Sequence, residues 1–171
     1  MKEDDKIFWP PEEEIAMSVL GFSEVYENTL PVKIDDEVEI LVSSLAGIFI
    51  LKTVAWLDRY LKGNKDADDI AFIIINYLNI HMERAIEKHY DLYEVENFDI
   101  NIAGSRLIGR DISTLLSDSE PTQTKVTKIL KTEVEKEEES QLINQILDTH
   151  GALKYDQVYD CLREIIKGIE D

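Results

Sequence analysis

Apolar positions change their rhythm once along this chain. Before Ser44 they come in short runs, two of which, LPVKI and VEILV, alternate with period two around the turn-forming cluster Asp35-Asp36-Glu37 and predict a β-hairpin. FSEVYENT reads as a short helix and IAMSVLG as a short apolar piece, so residues 1–43 hold only two or three short strands. Pro10-Pro11 continues neither a helix nor a central strand and marks a linker or an edge. From Ser44 onward the spacing is helical. Ser43-Ser44 and Gly63 bracket a helix at about 45–62. A second follows with Asp66 as its N-cap and Asp69 at the third helical position. Its segment IAFIIINYL is apolar nearly all round, which predicts the centre of the core. Helical spacing then covers MERAIEKHYDLYE, the stretch from Asp99 to Ser117, TKVTKILKTEVEKE after Pro121, SQLINQILDTH and DQVYDCLREIIKGI. The expected class is α+β, with short antiparallel strands over 1–43 and a bundle of five to seven helices over 44–171.

Composition sharpens this picture. The 171 residues, 44% hydrophobic with only 7 Gly and 4 Pro, form a core of one domain or a little more. A net charge of −18 repels nucleic acid and anionic lipid, which excludes general nucleic-acid binding. The single Cys161 excludes an internal disulfide, and no apolar run has the length of a membrane span, so the expectation is a cytoplasmic protein. A hairpin or three-stranded fragment is marginal alone, and its open edges invite a protein partner or a second copy. The acidic run KTEVEKEEES reads as a solvated helix face or a hinge.

Candidate chemistry centres on the first long helix. Lys52 and Arg59, seven apart, lie within roughly 20° of each other and about 10 Å apart along the axis. Ile48, Phe49, Ala55 and Trp56 surround Lys52, whose ammonium must find an anion or reach solvent. It either snorkels or pairs with Asp66 or Asp69, or else the two cations hold a phosphate or position a substrate, as phosphoryl chemistry requires. Lys52, Arg59, Lys62 and Lys65 stand against Asp58 alone in one basic island, and Arg106, Arg110, Lys125, Lys128 and Lys131 dominate a second, so the two could face one anionic ligand. The acidic pairs are less suggestive. Asp66 and Asp68 diverge at a helix start, and Glu37 and Glu39 face water from a hairpin. Gly104-Ser105 before Asp111 imitates a catalytic glycine-serine turn in a helical setting, with Ser113 where a second Asp would stand. His81, His89 and His150 lack the spacing of a zinc site, and Cys161 reads as a core residue.

The string LVSSLAGIFILKTVAWLDRYLKGNKDADDIAFIIINYL resembles nucleotidyltransferases of the abortive-infection toxin type, AbiEii- and AbiGii-like, within the DNA polymerase beta-like superfamily. Lys52, Trp56, Asp58, Arg59, Lys65, Asp66, Asp69 and Ile70 carry the likeness, flanked by IFWPP and MSVLGFSEVYE before it and AGSRLIGRDIS after it, over about residues 7–116. The resemblance implies a mixed nucleotidyltransferase sheet, here partial, followed by helices. It also implies magnesium-assisted transfer of a nucleoside monophosphate from a nucleoside triphosphate to an acceptor. The family's Gly-Ser turn and Asp-x-Asp strand have no counterpart here, so no catalytic or metal-ligating residue is assigned. The expectation is a non-catalytic C-terminal portion or a degenerate homologue, in which Lys52, Arg59, Asp66, Asp69 and Arg110 bind or support a substrate such as a nucleotide. The alternative is a non-catalytic interaction module that self-associates or binds a partner protein.

Overall fold

The computed structural model describes residues 6–8, 16–35 and 37–171. The Pro10-Pro11 pair, Trp9 and the acidic Glu3, Asp4 and Asp5 lie outside them. The architecture is α+β: two small antiparallel strand pairs precede a helical bundle. β1 (Lys6–Phe8) pairs with β2 (Ala16–Ser18), and β3 (Leu30–Ile34) pairs with β4 (Val38–Val42). Between the pairs lies α1 (Phe22–Glu27). The β1–β2 ladder is only three residues long, too short to register as alternation, and so was not among the expected strands.

The bundle begins with α2 (Leu45–Arg59), whose N-cap Ser44 accepts a hydrogen bond from the Gly47 N–H at 3.1 Å. The helix is shorter than its pattern predicts, because Tyr60–Lys62 tighten into a 3₁₀ turn before Gly63. α3 (Lys65–Ile80) follows, and Asp66 is not its N-cap. Asp66 sits inside the first turn, where cations of α2 claim its carboxylate ahead of its own helix's N–H groups. Ile70, Ala71, Ile73, Ile74, Tyr77 and Leu78 are buried as expected, but Phe72 and Ile80 turn outward. α4 (Met82–Lys88) and a 3₁₀ turn over Tyr90–Tyr93 lead to α5 (Ile100–Leu115), capped by Asp99, which accepts from the N–H groups of Asn101 and Ile102. α6 (Glu120–Glu135) takes Pro121 in its first turn, where a missing N–H costs nothing. α7 (Gln141–Thr149) and α8 (Tyr155–Glu170) complete the chain.

One apolar cluster runs through α2, α3, α5, α6, α7 and α8, with Phe49, Ile70, Leu107, Ile108, Leu130 and Leu162 at full burial. α5 and α8 approach at Gly109 and Gly168, whose α-carbons meet backbone of the other helix without intervening side chains. The run KTEVEKEEES is more than a solvated face. Glu133 is 2% exposed and accepts from the Ser140 hydroxyl at 2.9 Å and the Leu142 N–H at 3.2 Å, which fixes the turn from α6 into α7.

Candidate functional site

The helix pair α2–α3 brings four of the five predicted site residues together. Lys52 and Arg59 share a face of α2, and the N-terminal end of α3 delivers Asp66, in its first turn, and Asp69, just after it, to that face. The Arg59 guanidinium forks onto Asp66, Nε to Oδ2 at 2.6 Å and Nη2 to Oδ1 at 2.8 Å. Lys52 Nζ lies 2.5 Å from Asp69 Oδ2 and 3.4 Å from Asp66 Oδ1. Burial would raise the Asp66 carboxyl, but the Arg59 and Lys52 contacts outweigh it and hold the carboxyl below its usual value. The Asp69 hydrogen bond raises Lys52 against the opposing effect of burial. Of the two sequence alternatives, the geometry is that of the ion pair: two cations meet two carboxylates and staple α3 onto α2. Beside them Arg59, Lys62, Lys65 and Asp66 border a hollow of about 190 Å³, three cations against one carboxylate.

The neighbouring motif residues serve packing in the same region. Asp58 Oδ2 accepts from the Ser18 N–H at 2.9 Å and ties β2 to α2. Trp56 is buried, and its indole N–H donates to Gln145 Oε1 at 2.9 Å, while the Gln145 amide donates to the Tyr60 carbonyl.

Arg110 lies elsewhere. On α5 it donates to Asp91 through Nη1 and Nη2, at 3.0 and 2.6 Å, and to Asp171 through Nε at 2.8 Å. Arg106 binds Glu164 and Asp171, and the two guanidiniums hold the Asp171 carboxyl at about 2. These arginines line a different hollow of about 350 Å³, with Asp91, Asp99 and Glu164 on its wall. Arg59 and Arg110, one from each basic island, thus border different hollows, and Lys52, Arg59, Arg106, Arg110 and Lys131 each pair with acids close by. Asp111 is bound by Arg84 and by the Tyr77 hydroxyl, and Ser105 is buried, so neither forms a catalytic turn. The buried Cys161 thiol is pushed up to about 12 by its apolar surroundings. Among the described residues no three His, Cys, Asp or Glu side chains are gathered as a metal would need. Asp66 and Asp69 already hold cations, so they do not fit a magnesium-nucleotide group.

The β3–β4 hairpin is an exposed apolar feature. The register pairs Leu30 with Val42, Val32 with Ile40 and Ile34 with Val38, which places six apolar side chains on one face. Each of the six is between 38 and 56% exposed, and no residue of either strand is buried. Sequence reasoning found the hairpin and its open edges; the whole apolar face left uncovered is what it missed, though the period-two pattern contains it. Nearby, Glu24 of α1 accepts from the Ser119 and Thr122 hydroxyls, both at 2.6 Å, and anchors the segment before the hairpin to the start of α6.

The chain matches no protein-family model, no curated protein and no solved structure.

Proposed function

We propose that this chain is a non-catalytic docking module, the helical portion of a nucleotidyltransferase-like assembly whose unfinished sheet receives a catalytic polypeptide. The observation that carries this reading is the bare apolar face of the hairpin. A two-stranded sheet is marginal by itself, and six exposed aliphatic side chains on one face are a cost in water that a covering layer removes. The resemblance around Lys52 to Ile70 is what supports reading the assembly as nucleotidyltransferase-like. In this reading the Gly-Ser turn, the Asp-x-Asp strand, magnesium and the nucleoside triphosphate all belong to the partner polypeptide. Lys52, Arg59, Asp66 and Asp69 act as the staple that holds α2 and α3 rigid beneath it, and Arg110 braces α5. No described helix is long and apolar enough to cross a membrane, in keeping with a cytoplasmic assembly.

The test is co-expression with the polypeptide of the adjoining reading frame, scored by copurification and by magnesium-dependent transfer of labelled nucleoside monophosphate. The expected result is a complex that transfers label while the isolated chain does not, and its loss in a Val32→Lys/Ile40→Lys variant that keeps the wild-type helical signal. Transfer by the isolated chain, or a complex that forms equally well with the double variant, refutes the proposal.

A further inference from the structure

The docking reading leaves open what the hairpin binds, and this inference rests on that reading. We infer that the incoming element is a cationic, extended polypeptide segment that adds as a strand to the outer edge of β4. Three observations converge on it.

The first is the difference between the two free edges. β3 contains Pro31, which has no N–H and is tolerated in a sheet where its nitrogen faces away from the partner strand. The outer edge of β3 therefore lacks a donor at its second position. β4 reads Val-Glu-Ile-Leu-Val, with no proline or glycine, and keeps a full set of donors and acceptors for a third strand. It is also the better anchored of the two strands. Only Ser43 separates it from Ser44, whose side chain caps α2.

The second is the charge. Across residues 30–42 one cation, Lys33, stands against Asp35, Asp36, Glu37 and Glu39. Lys33 is the register partner of Glu39, so the acids at the turn remain uncompensated within the hairpin. The chain as a whole carries −18. A second copy would bring a chain of the same large negative charge and the same acidic turn against this one, whereas a cationic segment is attracted.

The third is the alternation. On β4, Val38, Ile40 and Val42 point to the apolar face and Glu39 and Leu41 to the other. A strand that alternates apolar and cationic residues would pack its apolar side chains beside Val38, Ile40 and Val42, taking part of their surface out of water, and set a cation beside Glu39.

Two short peptides test the inference, one alternating valine and lysine and the other valine and glutamate, together with a form of the first N-methylated at alternate residues. Binding is measured at low and high salt, and amide hydrogen exchange is followed residue by residue in the whole chain. The valine-lysine peptide is expected to bind about tenfold more tightly than the valine-glutamate peptide, to weaken with salt, and to slow exchange at residues 38–42. N-methylation is expected to abolish binding. Equal binding of both peptides, no binding, insensitivity to N-methylation, or protection confined to β3 overturns the inference. So does protection of residues 38–42 that rises with protein concentration in the absence of peptide, which identifies a second copy as the occupant. If the Val32→Lys/Ile40→Lys variant still loses its partner while the peptides leave β4 unprotected, strand addition fails and the docking reading stands. If that variant also keeps its partner, both fail.

Discussion

Replacing Gly109 with alanine tests the helix packing on which every other feature rests. A Cβ at position 109 would lie 2.1 Å from the Ile165 carbonyl oxygen, 2.7 Å from the Gly168 α-carbon and 2.8 Å from the Ile169 nitrogen. All three are backbone atoms of α8, so no side chain can rotate out of the way. Ordinary contact starts near 3.4 Å, and α5 and α8 must separate by roughly 1.3 Å to accept the methyl group. That movement loosens the fully buried Leu107, Ile108, Leu162 and Ile165 on both sides of the crossing. Overpacking costs about 1–3 kcal/mol, and with backbone on both sides the upper end applies. Alanine returns about 1 kcal/mol through its better helix propensity. The net expectation is a loss of about 2 kcal/mol, which lowers a urea midpoint by about 1 M for a slope of about 2 kcal/mol per molar. Gly151→Ala is the control, since a Cβ there meets nothing within 4 Å. Unfolding followed by far-ultraviolet circular dichroism makes the comparison. A Gly109→Ala protein as stable as the wild type, or more so, would refute the close crossing.

Three further outcomes are expected. Glu24 has a carboxyl that burial tends to raise, but the hydroxyls of Ser119 and Thr122 hold it at about 2 against an ordinary 4.5. Its stabilisation is therefore complete above pH 4.5 and is lost as pH falls towards 2, and Glu24→Gln should flatten the acid limb of the urea-midpoint curve. Glu133→Ala strips partners from the Ser140 hydroxyl and the buried Leu142 N–H and should cost about 2–3 kcal/mol in the same assay, with exchange accelerated first in α7. Asp66→Asn removes the charge-assisted hydrogen bonds from Arg59 and Lys52, cations exposed enough to be resolvated, and should cost about 1.5–2 kcal/mol, whereas Lys52→Met, whose ammonium is partly exposed and only one of two partners of Asp66, should cost about 1 kcal/mol or less; equal costs would contradict Asp66 as the hub.

Much of the fold was legible because the signals were local. The change of period at Ser44, the cap at Ser44, and the alternation around Asp35-Asp36-Glu37 each occupy a few consecutive residues, and each gave an element of the right type. The spacing of Lys52 and Arg59 put both on one face, with Asp66 and Asp69 named as ion-pair partners in one of the two readings. What escaped depends on residues far apart. Gly109 and Gly168 look like ordinary helix interruptions until α5 and α8 cross at them. Glu133 sits in a run of acids and lysines that would solvate any helix, and only the return of the chain at Ser140 and Leu142 buries it. Asp91 and Asp171 neutralise Arg110 from opposite directions in the sequence, so its apparent freedom reflected a count within one segment.

On the docking reading, the distribution of charge and of apolar surface together constrains which partner the chain can take. Cations at the helix interfaces are held by acids: Arg59 by Asp66, Arg84 by Asp111, Arg106 by Glu164 and Asp171, Arg110 by Asp91 and Asp171. With 36 acidic residues against 18 basic ones, such pairing leaves an acidic surplus facing solvent. That surplus opposes self-association and raises the bar for any acidic partner, with a range set by the Debye length of about 8–10 Å. The hairpin's apolar face works in the other direction, favouring any contact that removes it from water. A partner satisfies both only if it presents apolar side chains and positive charge together, within reach of Glu39 and the turn acids. Apolar burial would then set the lifetime of the complex and electrostatics its rate of formation, so raising the salt concentration should slow association far more than it speeds dissociation.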